Sequence, residues 1–136
     1  MMLDEEKIEL HLKEAVGRFE YTVNGGALIT PVYKYVYYDP SQGVPAMFIG
    51  RDTPNSLNET GVAIELAGNR FWGDRVSLGS EVSARYFSRA QTWDVRSGTV
   101  SGMYNHLGPG SIFEFDFIAV KAEEHRHIKG HFILKA

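Results

Sequence analysis

The chain has 136 residues, a formal net charge of −3 at pH 7, 17 aromatic residues (8 Phe, 7 Tyr and 2 Trp) and no cysteine. This length suffices for one domain with its own core but not for two ordinary ones. The absence of cysteine excludes disulfides, thiolate catalysis and cysteine–zinc sites. The small negative charge provides no long-range attraction to nucleic acid. We therefore expect a single domain over residues 1–136 that does not bind nucleic acid.

No apolar run approaches the ~20 residues that a helix needs to span a bilayer. The N-terminus becomes acidic at Asp4 and lacks the charged-then-apolar pattern of a signal sequence. The chain as written therefore fits a cytoplasmic protein, or an exported protein whose signal sequence has been removed.

Residues 4–16 are predicted to form one α-helix. Asp4 can cap its first turn, and Gly17 can terminate its last turn. Four apolar residues recur at helical spacing: Ile8, Leu12, Ala15 and Phe19. We expect this helix to plug the open end of a barrel or to lie across a sheet.

The rest of the chain is predicted to be β-structure. Strands are expected at residues 18–24, 27–38, 45–51, 61–67, 75–78, 82–88, 91–95 and 99–104, followed by a hairpin over about residues 112–135. Gly68–Asp74 is read as a connection and Ser97-Gly98 as a turn. Turn signals about every 8 to 14 residues predict an all-β fold, an antiparallel barrel or sandwich of about eight to ten strands.

The C-terminal hairpin has the clearest pattern. Phenylalanines occupy every second position from 113 to 117, which is the period of a strand with one buried face. A two-residue turn at Glu123-Glu124 would pair Phe115 with Phe132 and Asp116 with His131. This register places the large apolar side chains in the core and the polar ones on the opposite face.

Aromatic side chains suggest a ligand-binding surface. Tyr33, Tyr35 and Tyr37 lie on one face of a predicted strand and can form a flat platform for a sugar ring or a peptide. Trp72 and Trp93 can add rims to it. The structural alternative is that these tyrosines lie at the partly solvent-exposed margin of a sheet, where the ring can pack and the hydroxyl can reach water.

The polar face of the hairpin suggests an alternative, catalytic site. Glu114, Asp116 and His131 would share that face, and a carboxylate can orient an imidazole for acid–base catalysis. No serine lies in a glycine-framed nucleophile motif. The structural alternative is a solvated outer face on which opposite charges pair across strands.

Histidines at positions 125 and 127 are the candidate metal ligands. They stand at i and i+2 but require a further carboxylate or histidine, because zinc takes three or four protein ligands. His127 and His131 are roughly 13 Å apart along a regular strand, too far for one small ion. We predict no metal site, and no glycine spacing indicates a nucleotide cofactor; no cofactor is expected.

Several segments together resemble a known family. They are Phe19–Gly25, Gly61–Leu66, Leu78-Gly79, the strand around Tyr86, Ser97–Val100 and Gly130–Phe132. In these the chain resembles the small lipocalin-like β-barrel or sandwich proteins of unknown function that are common in Bacteroidota. The resemblance implies a lipocalin-like fold. Such relatives are often exported lipoproteins, whereas this chain has no lipid-attachment cysteine. The resemblance supplies no functional residues.

These patterns favour a non-catalytic binding module for a small apolar or glycan ligand, or for a protein partner. The alternative is an enzyme of the hydrolase or isomerase type that uses Asp116, His131 and Glu114 in the lumen of a barrel. The sequence does not distinguish a pocket from a flat surface, and it does not define the oligomeric state.

Overall fold

A computed structural model describes residues 12–39, 44–53, 59–68, 70–89, 91–105 and 110–135. They form ten strands: β1 (Leu12–Glu14), β2 (Val16–Val23), β3 (Tyr33–Asp39), β4 (Val44–Arg51), β5 (Gly61–Leu66), β6 (Arg70–Ser77), β7 (Val82–Ser88), β8 (Gln91–Asn105), β9 (Ser111–Lys121) and β10 (Glu124–Lys135). All paired strands are antiparallel. The predicted all-β, antiparallel fold is confirmed.

The strands form one sheet that is rolled into a nearly closed barrel. Its path is β1-β3-β4-β5-β7-β8-β9-β10-β2, and β6 pairs with β8 beside this path. The two end strands, β1 and β2, are separated in sequence only by Ala15. The Ala15 amide donates to the carbonyl of Lys34 (2.9 Å), and Lys34 Nζ donates to the carbonyl of Gly17 (2.8 Å). The continuous chain thus links both edges of the sheet.

The predicted helix over residues 4–16 is not seen. Residues 4–11 lie outside the described part of the chain, and Leu12–Glu14 is a strand that pairs with β3. Gly17 pairs with Leu134 in the ladder with β10, and a Cβ on Gly17 would collide with the carbonyl oxygen of Ile133. Pairing with two other strands has overridden the helical spacing of the apolar residues, because tertiary contacts outweigh local propensity.

Two predicted breaks in the β-structure are also wrong. Phe71 and Trp72, placed in a connection, lie in β6, and Ser97-Gly98, placed in a turn, lies inside the 15-residue strand β8. Gly98 is paired with Phe117, and a Cβ on Gly98 would collide with that residue. This glycine therefore makes room for a neighbouring strand rather than turning the chain.

The C-terminal hairpin has the predicted faces but a different register. Its turn is Ala122-Glu123, with Ala122 at a φ of 53°. Phe132 pairs with Phe113, and Gly130 pairs with Phe115. Each partner is displaced by two residues from the prediction. An even displacement preserves the side of the sheet to which every side chain points, so the apolar face remains in the core.

Aromatic rings fill the interior of the barrel. Six phenylalanines are at most 2% exposed: Phe19, Phe48, Phe113, Phe115, Phe117 and Phe132. Phe19 and Phe132 stack with their ring centroids 5.1 Å apart. A Cβ on Gly130 would lie 2.8 Å from the Phe115 ring, and one on Gly50 would lie 2.7 Å from the Phe19 ring. The inward-facing glycines thus make space for these rings.

A second cluster of buried side chains lies on the outer face of β3, β4, β5 and β7. Its members are Tyr35, Tyr37, Met47, Ile49, Ala63 and Phe87, which alternate along the strands with residues of the barrel interior. Beside them, Arg85 approaches the buried carboxylate of Glu65 at 3.4 Å. Burial raises the pKa of Glu65, and the charge of Arg85 opposes this increase only in part.

Phe115→Ala should lower the free energy of unfolding by about 3–5 kcal/mol, because it removes a fully buried ring from the middle of the aromatic core. Denaturant unfolding measures this change. Ile112→Ala is the matched control, since Ile112 lies on the same strand but is 50% exposed; we expect it to cost about 1 kcal/mol. Equal effects of the two variants would contradict the assignment of faces.

The raised pKa of Glu65 predicts a pH-dependent stability. At low pH the carboxyl is protonated in both the folded and the unfolded state, so burial carries no charge penalty. As the pH rises, the unfolded state ionises first, and stability falls until the pH passes the raised folded-state pKa. As the pH rises above about 4, the wild type should lose stability relative to Glu65→Gln.

Urea unfolding at a series of pH values measures this difference. Glu123→Gln, at an exposed carboxyl in the β9–β10 turn, controls for the loss of one negative charge. Parallel stability profiles of the wild type and Glu65→Gln would show that burial of Glu65 imposes no pH-dependent penalty.

Candidate functional site

An exposed row of apolar side chains crosses the outer face of four neighbouring strands, and we call it the apolar row. It consists of Trp72, Met103, Ile112 and Ile133, and each is directly opposite the next in the strand ladder. Their exposed fractions are 85%, 53%, 50% and 51%. Four large apolar side chains in register on exposed positions form a continuous patch, and a contiguous apolar patch on a protein surface usually marks an interaction site.

The apolar row borders a groove of about 730 Å³ at one end of the barrel. Val16, which is 76% exposed, lies on its β2 side, and the rings of Phe71 and Tyr104 also line it. Charged and amide residues also line it: Arg70, Glu81, Asn105 and Lys135. The groove therefore has a largely apolar lining with a few polar groups, which is the usual character of a ligand site.

The groove has an apolar wall because the alternation of apolar and polar residues is lost at these strand ends. In β10, Ile133 faces outward between the inward-facing Phe132 and Leu134, and in β9, Ile112 faces outward next to Phe113. These strand ends are therefore apolar on both faces, whereas the middle of β9 alternates regularly. Val16, Met103, Ile112 and Ile133 were not predicted as site residues. Consecutive apolar residues in an otherwise alternating strand were the signal that could have revealed the last two.

Polar side chains occupy the next rows on the same outer face. Ser101, Glu114, His131 and Glu20 are successive ladder partners, one step along the strands from the apolar row. His131 Nε2 lies 3.1 Å from Glu20 Oε1. In the row beyond, Asp116 accepts a 2.5 Å contact from His127 Nε2. On this outer face, each of the two imidazoles is therefore paired with a carboxylate of a neighbouring strand.

The predicted pair of Asp116 and His131 is not formed. The two-residue change of register places His131 opposite Glu114. The ring of His131 then contacts the carboxylate of Glu20 through Nε2. Glu114, Asp116 and His131 all lie on the outer face, while phenyl rings occupy the barrel interior. Catalysis by these residues stays a prediction, but an enclosed lumen is not available to them.

The candidate metal ligands do not converge on a common point. His127 contacts Asp116, whereas His125 is opposite Val120 and exposed. Within the described ranges, no group of three or more His, Asp or Glu side chains is arranged to hold a metal ion.

The predicted tyrosine platform shares one face, as expected, but that face is packed. Tyr35 and Tyr37 are 9% and 1% exposed in the second cluster, and Tyr33 packs against them. The guanidinium of Arg51 lies 4.8 Å from the Tyr35 ring centroid. A ligand-binding role for these tyrosines remains a prediction, and a flat exposed platform is not observed.

The two tryptophans have opposite environments. Trp93 is 6% exposed inside the barrel, where its ring contacts Tyr86 and lies 4.4 Å from the guanidinium of Arg126. Trp72 lies on the outer face and lines the groove. Of the five residues predicted to bind a ligand, only Trp72 belongs to this site.

Comparisons with protein-family models, with curated proteins and with solved structures give no match. The resemblance to lipocalin-like proteins therefore remains a prediction. In the part of the chain that the structure describes, no helix is long and apolar enough to cross a membrane.

Single-tryptophan variants test the geometry of the site. In Trp93→Phe, the remaining Trp72 should emit at long wavelength and be readily quenched by acrylamide in water, because it is 85% exposed. In Trp72→Phe, the buried Trp93 should emit at shorter wavelength and be protected from the quencher. Similar quenching of the two variants would place Trp72 in contact with other parts of the protein.

Proposed function

We propose that this protein is a non-catalytic binding module whose groove takes a small apolar ligand. The observation that carries this proposal is the apolar row, in which four exposed side chains lie in ladder register beside a groove of about 730 Å³. This volume falls within the ~300–1,000 Å³ of typical small-molecule sites.

Hydrophobic burial supplies the driving force. Each apolar side chain of the row now faces water, and a ligand that covers it gains roughly 25 cal/mol per Å² of apolar surface removed from water. Trp72 contributes most of this apolar surface, because it is the largest of these side chains and the most exposed.

The distribution of polar groups selects among ligand classes. A glycan requires several hydrogen bonds directed at its hydroxyls, whereas the groove wall consists mainly of Val16, Trp72, Met103, Ile112 and Ile133. The polar side chains in its lining are those of Arg70, Glu81, Asn105, Ser111 and Lys135. The lining therefore favours an apolar molecule with at most one polar end over a sugar.

Binding of the fluorescent apolar probe 1-anilinonaphthalene-8-sulfonate, and its displacement by dodecanol, tests the proposal. In the Trp93→Phe background, bound probe should accept energy from Trp72. Replacing Trp72 by Ala should weaken probe binding about tenfold or more, because an aromatic contact worth at least ~1.5 kcal/mol is removed.

Val32→Ala is the matched control, since Val32 is 74% exposed but lies outside the groove. It should bind the probe like the wild type. Unchanged melting temperatures exclude binding to partly unfolded protein. Absence of probe binding to the wild type, or equal binding by the Trp72 and Val32 variants, would refute the proposal.

A further inference from the structure

Strand β6 presents an open edge. Among the described strands its ladder partner is β8 alone, and it lies beside the main path of the nearly closed barrel. By contrast, the outer edge of β2 is bonded by Ile29, whose amide and carbonyl both pair with Tyr21 (2.8 and 3.0 Å). Backbone groups on an open edge remain available to pair with another strand.

We propose that a second copy of this chain pairs with β6 in antiparallel orientation, about a two-fold axis that passes Trp72. Residues directly opposite each other in an antiparallel pair point to the same face. An axis at Trp72 therefore sets Trp72 opposite Trp72 of the second copy. Arg70 then lies opposite Asp74, and Phe71 lies opposite Gly73.

Charges are complementary in this register. Arg70 and Asp74 are both exposed, and the contact of Asp74 with Ser101 (3.2 Å) places Asp74 on the outer face, as for Trp72. The two-fold axis produces the Arg70–Asp74 pair twice.

Other registers are less favourable. An axis at Phe71 sets Arg70 opposite Trp72 and leaves the charge without a carboxylate partner. An axis at Gly73 sets Asp74 opposite Trp72 and Arg70 opposite Val76, so neither charge faces an opposite charge. Only the axis at Trp72 gives opposite charges on the outer face.

The bulge in β6 limits the contact to a short segment. The ladder with β8 shifts between Gly73 and Val76, and Arg75 has a φ of 51°, so pairing with a second copy covers residues 70–74 and ends at the bulge. A bulge bends an edge away from further pairing. The second copy therefore adds a short strand pair rather than a long self-propagating edge, and association stops at a dimer.

The dimer also completes the groove. Trp72 of each copy comes to lie beside Trp72 of the other, and the two apolar rows become one row of eight side chains across the axis. Each copy thus contributes a residue to the apolar site of its partner. This arrangement stands independently of whether the groove takes a small ligand.

Engineered cysteines test the geometry, because the chain has no cysteine of its own. Trp72→Cys places two thiols opposite each other on the axis, where Cβ atoms are about 4.5–5.5 Å apart, so oxidation should join them with a small adjustment. Met103→Cys is the control on the same face. Its two copies are three strand spacings apart, roughly 14 Å, which is beyond disulfide reach.

Sedimentation equilibrium of the wild type at up to millimolar concentration should show a monomer–dimer equilibrium. Trp72→Cys should cross-link and Met103→Cys should not. A dimer that buries one apolar row against the other would give the reverse result, since Met103 lies near the middle of the row. A wild type that is monomeric throughout, or cross-linking through Met103→Cys, would overturn the proposal.

A charge exchange tests the register without altering Trp72. Arg70→Asp and Asp74→Arg should each weaken dimerisation roughly tenfold, because each replaces two symmetric ion pairs by like-charge contacts. The double variant should restore dimerisation. If the double variant dimerises as weakly as the single ones, Arg70 and Asp74 do not face each other across the axis.

Discussion

Packing of six phenylalanine rings inside a small barrel is the constraint on which the rest of this structure depends. Rings on β2, β4, β9 and β10 meet at the centre, and Phe19 and Phe132 stack at 5.1 Å. They fit because neighbouring strands carry glycines at inward positions, where a Cβ on Gly50 or Gly130 would overlap a ring. Interiors at crystal-like density allow no such overlap. The glycines are therefore as necessary to this core as the rings themselves.

A filled interior leaves the outside of the barrel as the place for the proposed binding site. The outer face of β3, β4, β5 and β7 holds a second buried cluster, including Tyr35 and Tyr37. The outer face of β6, β8, β9 and β10 instead carries the apolar row and the polar rows. A contiguous exposed apolar patch is typical of an interaction site, which is the physical basis of the proposed binding role.

Trp72 connects the two proposals. It is the most exposed member of the apolar row, and among the described strands it lies on the one that stands beside the main path of the sheet. An apolar ligand would cover its ring, whereas a second copy would pair with its backbone and place another Trp72 beside it. Strand pairing uses the edge of β6 and ligand binding uses its outer face, so the two interactions are compatible.

The sequence by itself determined the fold class and the faces of the strands, because a period of two assigns each side chain to a side regardless of its partner. For this reason the apolar face of the C-terminal hairpin was predicted correctly although its register was displaced by two residues. Only the tertiary structure decided which partners meet. It made residues 12–16 extended by pairing them with other strands, moved His131 from Asp116 to Glu20, and separated Trp72 from Trp93. These outcomes depend on contacts between distant residues, which local patterns do not encode.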